Sequence, residues 1–169
     1  MVRSFVSAVF VLSVAAALPL AQDKGFSGVW EYQPSKSIPP KPEGLQLSVT
    51  AQPAHITVTR RYVMVPGSDE TMPGTEEKYT CTTDGTPTRA ARGPDTVTWT
   101  VRWQGQTLMW RAQFVREADK ASVDFTERWT LSADGRTLTI DRIYLVSAEV
   151  VAVTSNQVRE VFTRQRQGR

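Results

Sequence analysis

The sequence holds one cysteine and one histidine in 169 residues. A lone cysteine excludes an intramolecular disulfide framework and any multi-cysteine metal cluster. A lone histidine excludes His-rich metal sites and makes any Ser-His-Asp triad depend on His55. There is no phosphate-binding glycine-rich loop, no nucleophile elbow and no HExxH pattern. The acidic stretches Asp69-Glu70 and Glu76-Glu77 lack the spacing of a calcium loop. A large excess of one charge is missing as well: 20 Lys and Arg stand against 17 Asp and Glu, a formal net charge of +3. The basic tail of Arg159, Arg164, Arg166 and Arg169 has no aromatic cluster beside it, so the sequence gives nucleic-acid binding little support. Past residue 22, no apolar i, i+3, i+4, i+7 pattern is sustained.

What the chain does have is β-branched residues: 20 Thr and 20 Val. Both are stiff at χ1 and suit pleated strands. An apolar fraction of 40% with so small a net charge argues against disorder. The composition therefore predicts one all-β domain.

Residues 1–21 (MVRSFVSAVFVLSVAAALPLA) read as an address rather than as part of that domain. Arg3 supplies a short positive region, an apolar run follows, and no further charge occurs before Asp23. The pattern is that of a secretory signal peptide, with cleavage fitting after Ala17 or after Ala21. The run is too short for a membrane-spanning helix, which needs ~20 apolar residues. The expected product is residues 22–169, periplasmic or secreted, without a membrane span.

Period-two alternation recurs through that product. Strands are predicted at 28–33, 45–51, 55–64, 76–82, 86–92, 96–103, 107–117, 122–131, 137–146 and 158–166. Turn signals separate them: Gln52-Pro53, Asp84-Gly85, Gly93-Pro94, Gln104-Gly105 and Asp134-Gly135. Residues 65–75, with Pro66-Gly67 and Pro73-Gly74, read as a loop. Consecutive hairpins make an antiparallel meander. Closure into a single up-and-down antiparallel β-barrel of about 8–10 strands would remove its exposed edges. A β-sandwich shares the same alternation. A barrel of this size is either filled by side chains or holds one small ligand.

The inward faces carry bulky aromatics: Tyr62, Trp99, Trp103, Trp110, Phe114, Phe125, Trp129 and Tyr144. Four charges share those faces. Arg60 lies between Val58 and Tyr62, Glu127 between Phe125 and Trp129, Arg142 between Ile140 and Tyr144, and Glu160 between Val158 and Phe162. A one-residue slip would flip every side chain, so the apolar neighbours fix where these charges point. If the Ser132–Thr137 turn pairs Leu131 with Leu138, then Trp129 faces Ile140 and Glu127 faces Arg142. A register shifted by one would mix the faces. Arg60, Glu127 and Arg142 then either orient the head group of a ligand or form a structural ion pair. His55 falls on the opposite face to Ile56 and reads as solvated; no second feature supports a haem-ligand role. Cys81 alternates with Tyr79 and reads as a small buried apolar residue.

Two segments carry a family resemblance. Ser27-Gly28-Val29-Trp30, followed by Tyr32-Gln33-Pro34-Ser35-Lys36-Ser37, resembles the opening of small exported bacterial lipocalin-like proteins of uncharacterised function. The stretch from Glu127 to Ile140 (ERWTLSADGRTLTI) resembles a hairpin of the same proteins. Gly28-Val29-Trp30 also matches the Gly-x-Trp that opens true lipocalins, where the Trp plugs one barrel end and a late Arg packs on it. The resemblance implies a barrel with an internal pocket, with Arg159 or Arg164 as that Arg, and no catalytic residues. True lipocalins usually add a C-terminal helix and often a disulfide, so the chain resembles a reduced or divergent member. The expected function is non-enzymatic binding of a small apolar or amphipathic ligand in an aromatic lumen, with no metal or cofactor. The alternative is a structural or interaction module of the cell envelope or secretome whose barrel is filled by side chains. A third reading makes Glu127 an acid or base with its pKa raised by burial, an effect that Arg142 would oppose.

Overall fold

The computed structural model describes residues 25–40, 45–62, 76–146 and 157–165. The expected signal peptide 1–21 and the loop 65–75 lie outside the described residues. Ten strands are present: β1 (Gly28–Tyr32), β2 (Leu45–Ala51), β3 (His55–Tyr62), β4 (Glu76–Thr82), β5 (Thr88–Arg92), β6 (Asp95–Gln104), β7 (Thr107–Val115), β8 (Ser122–Leu131), β9 (Thr137–Val146) and β10 (Gln157–Arg164). A 3₁₀ turn, Pro34–Lys36, follows β1.

The strands form one antiparallel sheet in the order β4-β3-β2-β1-β10-β9-β8-β7-β6-β5. It curls into a nearly closed barrel. The first and last strands in the chain pair with each other, Trp30 opposite Arg164 and Tyr32 opposite Phe162. The break in the barrel falls between β4 and β5, which are consecutive in sequence but share no ladder. There β4 packs against β6 instead. The Tyr79 ring stacks on Trp99 across the seam, at 5.1 Å between centroids. At the lower end, Asp84 bridges to Arg102, and the Gly85 N–H donates to the Val101 carbonyl. The open edge carries Glu76, Glu77 and Lys78 on β4 and Arg89 on β5, charges that discourage edge-to-edge pairing with other chains.

Local chemistry sets the register. In the β8–β9 turn, Ser132 Oγ accepts from the Thr137 N–H at 2.9 Å, and Asp134 Oδ1 accepts from the Arg136 N–H at 3.0 Å. Gly135 takes φ +65, which costs glycine little. Leu131 therefore faces Leu138, Trp129 faces Ile140 and Glu127 faces Arg142, as the hydrophobic pattern requires.

One end of the barrel is sealed. Trp30 is fully buried and donates its indole N–H to the Phe26 carbonyl at 3.0 Å. The Arg164 guanidinium lies over the Trp30 ring, 4.3 Å from its centroid. Arg164 also donates to the carbonyls of Gly25, Ser27 and Gly135, tying the N-terminal segment to the β8–β9 turn. Of the two candidate arginines, Arg164 takes this place; Arg159 sits outside and pairs with Asp141 at 2.6 Å. Trp103 packs edge-on against Phe26 at this same end. Leu47, Val49, Ile56, Val58, Cys81, Leu108, Leu138 and Phe162 fill the space above.

Gly28 makes the Arg164 contact possible. Its φ is +148, and a Cβ there would lie 3.0 Å from Arg164 Nη1. Gly28→Ala is expected to destabilise the fold by about 1–3 kcal/mol, through backbone strain and displacement of the guanidinium. Urea denaturation of the variant would read this as a lower midpoint; an unchanged midpoint would refute it.

Candidate functional site

The other half of the barrel is not filled. A cavity of about 590 Å³ lies above the sealed end, against strands β3 to β9. Its walls include Trp99, Phe114, Val123, Phe125 and Tyr144, with the small residues Ala90 and Ala112 leaving space between them. Both the inward and the outward residues of β4 and β5 border it, Glu76 with Glu77 and Ala90 with Ala91. Neighbouring residues of a strand point to opposite faces, so the cavity reaches the gap at the seam.

The floor is a charged network. Glu127, 4% exposed, is its centre. Glu127 Oε1 accepts from Arg142 Nε at 2.7 Å and also from Arg142 Nη2. Arg60 Nη2 reaches both Glu127 oxygens at 3.3 and 3.4 Å, from a strand 67 residues away in sequence. The Trp129 indole N–H donates to Glu127 Oε2 at 2.7 Å. Glu160, 1% exposed, lies within 4.0 Å of Arg60 and 3.8 Å of Arg142. Two hydroxyls complete the floor. Arg60 Nε donates to Tyr79 Oη at 3.1 Å, and Arg142 Nη1 donates to Tyr144 Oη at 3.2 Å. The Arg142 guanidinium also lies 5.1 Å from the Phe125 ring centroid.

Burial alone would raise the pKa of Glu127. The guanidiniums of Arg60 and Arg142, with the Trp129 and Arg142 N–H donors, outweigh it and bring the pKa down to about 2, from an ordinary 4.5. The expectation of an elevated Glu127 pKa is therefore reversed: the opposing arginine effect dominates. Burial likewise opposes the Arg142 charge, but Glu127 and Glu160 hold its pKa above the ordinary value. Burial pushes the Tyr79 hydroxyl up to about 12 and the Cys81 thiol up to about 11.

The Glu127 shift has a consequence for folding. A carboxyl whose folded pKa lies below its unfolded pKa adds stability that is present above the unfolded value. That stability is lost as pH falls through the folded value. Glu127 should therefore contribute roughly 3 kcal/mol near neutrality, fading between pH 4.5 and about 2. Chemical denaturation of wild type and Glu127→Gln across this window would test it. The stability gap between them should shrink on acidification; a constant gap would contradict the assignment.

Of the residues expected to meet a ligand, Arg60, Trp99, Trp110, Phe114, Phe125, Glu127, Arg142 and Tyr144 come together around the cavity. Two do not border it. Trp103 belongs to the sealed end, drawn there by Phe26. Trp129 is fully buried, stacked on Trp110 at 5.2 Å. Tyr62 ends β3 opposite Leu45, and its side chain lies outside the described part of the molecule. Glu77, Tyr79, Val97, Ala112 and Val123 also line the cavity, although the sequence did not mark them as ligand contacts. His55 is exposed and Cys81 buried. Among the described residues there is no cluster of three or more His, Cys, Asp or Glu able to hold a metal ion. None of the described helices is long and apolar enough to cross a membrane.

This architecture is a lipocalin-like β-barrel with one end sealed by Trp30 and a cavity in the other half. No protein-family model matches the chain, and no curated protein matches it in sequence. Among solved structures, the fold is similar to that of a secretary abundant heat soluble (SAHS) protein from Ramazzottius varieornatus. The TM-score is 0.57 at 8% identity, over 86% of this chain and 98% of that one. At such identity the likeness is one of fold.

Proposed function

We propose that this protein is an exported, non-enzymatic binding protein whose barrel holds one small apolar or amphipathic molecule. The observation that carries this reading is the cavity of about 590 Å³, walled by Trp99, Phe114, Phe125 and Tyr144 and floored by charged groups. Its volume falls in the range of ~300–1,000 Å³ typical of small-molecule sites, and its mix of apolar walls and few polar groups is also typical. Burial of the ligand's apolar surface would drive binding, and the polar floor would set its orientation. A barrel filled throughout by side chains describes only the sealed half.

A non-enzymatic role is supported by the state of the reactive groups. Glu127 is held as a carboxylate by three partners, so it stores no proton to give near neutral pH. Cys81 is buried with its thiol pKa raised, which suppresses the nucleophilic thiolate. Export to the periplasm or beyond rests on the character of residues 1–21.

Trp99 and Trp110 border the cavity, so tryptophan emission should report occupancy. Titration with fatty acids, alcohols and small aromatics is expected to shift emission and raise the melting temperature for at least one class. If both stay unmoved across the panel, and no small molecule copurifies by mass spectrometry, the reading fails.

A further inference from the structure

The charges around the cavity leave no positive surplus. Arg60 and Arg142 are matched by Glu127 and Glu160 within the network. Glu76, Glu77 and Lys78 of β4 also border the cavity, two carboxylates against one ammonium. Lumen potential depends on this sum and not on the presence of arginine as such. Glu127 already occupies the position that a ligand carboxylate would seek, bridging both guanidiniums. An incoming anion would have to displace it. That would leave Glu127 buried and stripped of its cationic partners, a strongly unfavourable state.

A neutral hydrogen-bond donor remains. Tyr144 borders the cavity, and its hydroxyl accepts an Arg142 N–H and keeps its own proton to donate. This donor suits an uncharged oxygen.

Building on the cavity reading above, we infer that the site selects uncharged amphiphiles, an apolar chain or ring bearing a hydroxyl or carbonyl oxygen, over carboxylates of the same skeleton. The Glu127 carboxylate acts as a built-in occupant of the arginine pair, and Tyr144 supplies the donor that the ligand oxygen meets.

Calorimetric titration of the purified, delipidated protein with decanol and decanoate at neutral pH tests this. Decanol should bind at least about tenfold more tightly than decanoate. Tyr144→Phe should weaken decanol about fivefold, the equivalent of one ordinary hydrogen bond. Glu127→Gln should release the guanidiniums and turn the preference toward decanoate. Should that variant fail to fold, the wild-type ratio and Tyr144→Phe still decide the matter. Decanoate binding as tightly as decanol in wild type overturns the ligand class and leaves the cavity reading standing. Unchanged decanol binding by Tyr144→Phe overturns the donor's role. Failure of both ligands to bind overturns this inference, while the cavity reading is decided by the wider panel of fatty acids, alcohols and aromatics.

Discussion

Glu127→Ala is expected to lower the unfolding free energy by about 3–5 kcal/mol, enough to leave a domain of ordinary stability partly unfolded. The loss does not come from the removed side chain's packing. The Glu127 carboxylate accepts from Arg60, Arg142 and Trp129 together. Without it, two arginines with 10% and 9% of their side-chain surface exposed share the more distant Glu160, at 4.0 and 3.8 Å. The Trp129 N–H loses its acceptor in the same step. Removing one member of a buried ionic cluster is far worse than replacing the whole cluster with apolar groups. This gives an internal control. Replacing Arg60, Glu127, Arg142 and Glu160 together with Met, Leu, Met and Leu should restore much of the stability that Glu127→Ala alone removes. Guanidinium chloride titrations of both proteins would measure it. A quadruple variant no more stable than Glu127→Ala would show that packing, and not uncompensated charge, holds this layer.

The pairing of Glu127 with Arg142 was legible because it is local. A Ser-Ala-Asp-Gly-Arg-Thr turn and two apolar stripes leave one consistent register, and the structure has it. Arg60 was legible as an inward charge from its neighbours Val58 and Tyr62. Its arrival at the same carboxylate was not, because β3 and β8 are not ladder neighbours and meet only across the lumen. Parity on β10 separates the two candidate arginines. Arg164 shares the inward phase of Glu160 and Phe162, whereas Arg159 shares the outward phase of the strand. From the sequence Tyr79 shares a face with Cys81 but carries no sign of a cavity role, because β4 begins Glu-Glu-Lys and reads as a polar edge, which it is. Its ring nevertheless closes the seam against Trp99. The division of the lumen into a filled half and a hollow half was the least visible feature. Both halves carry aromatic stripes of the same period. The difference lies in Phe26, which precedes any strand and folds under Trp30 and Trp103, and in small residues such as Ala112 on the hollow side.

Trp30→Ala should prove at least as damaging, at about 3–5 kcal/mol. The ring is fully buried at the sealed end, in the core cluster. Truncation would create a void, strand the Phe26 carbonyl without the indole N–H, and remove the surface on which Arg164 rests. Arg164 would keep its bonds to the backbone carbonyls of Ser27 and Gly135, so the end would loosen without losing every tie. A double-mutant cycle with Arg164→Met isolates the ring–cation term. Its coupling energy should be about 0.5–2 kcal/mol. Trp30→Phe keeps a ring under Arg164 but loses the N–H, so it should fall between wild type and alanine. None of these variants touches a residue that borders the cavity. Tryptophan-monitored ligand titration of folded Trp30→Phe should therefore match wild type. A large loss of ligand binding in that variant would mean that the two halves of the barrel are energetically coupled. A drop in stability below about 1 kcal/mol for Trp30→Ala would mean that the sealed end is not where the fold is anchored.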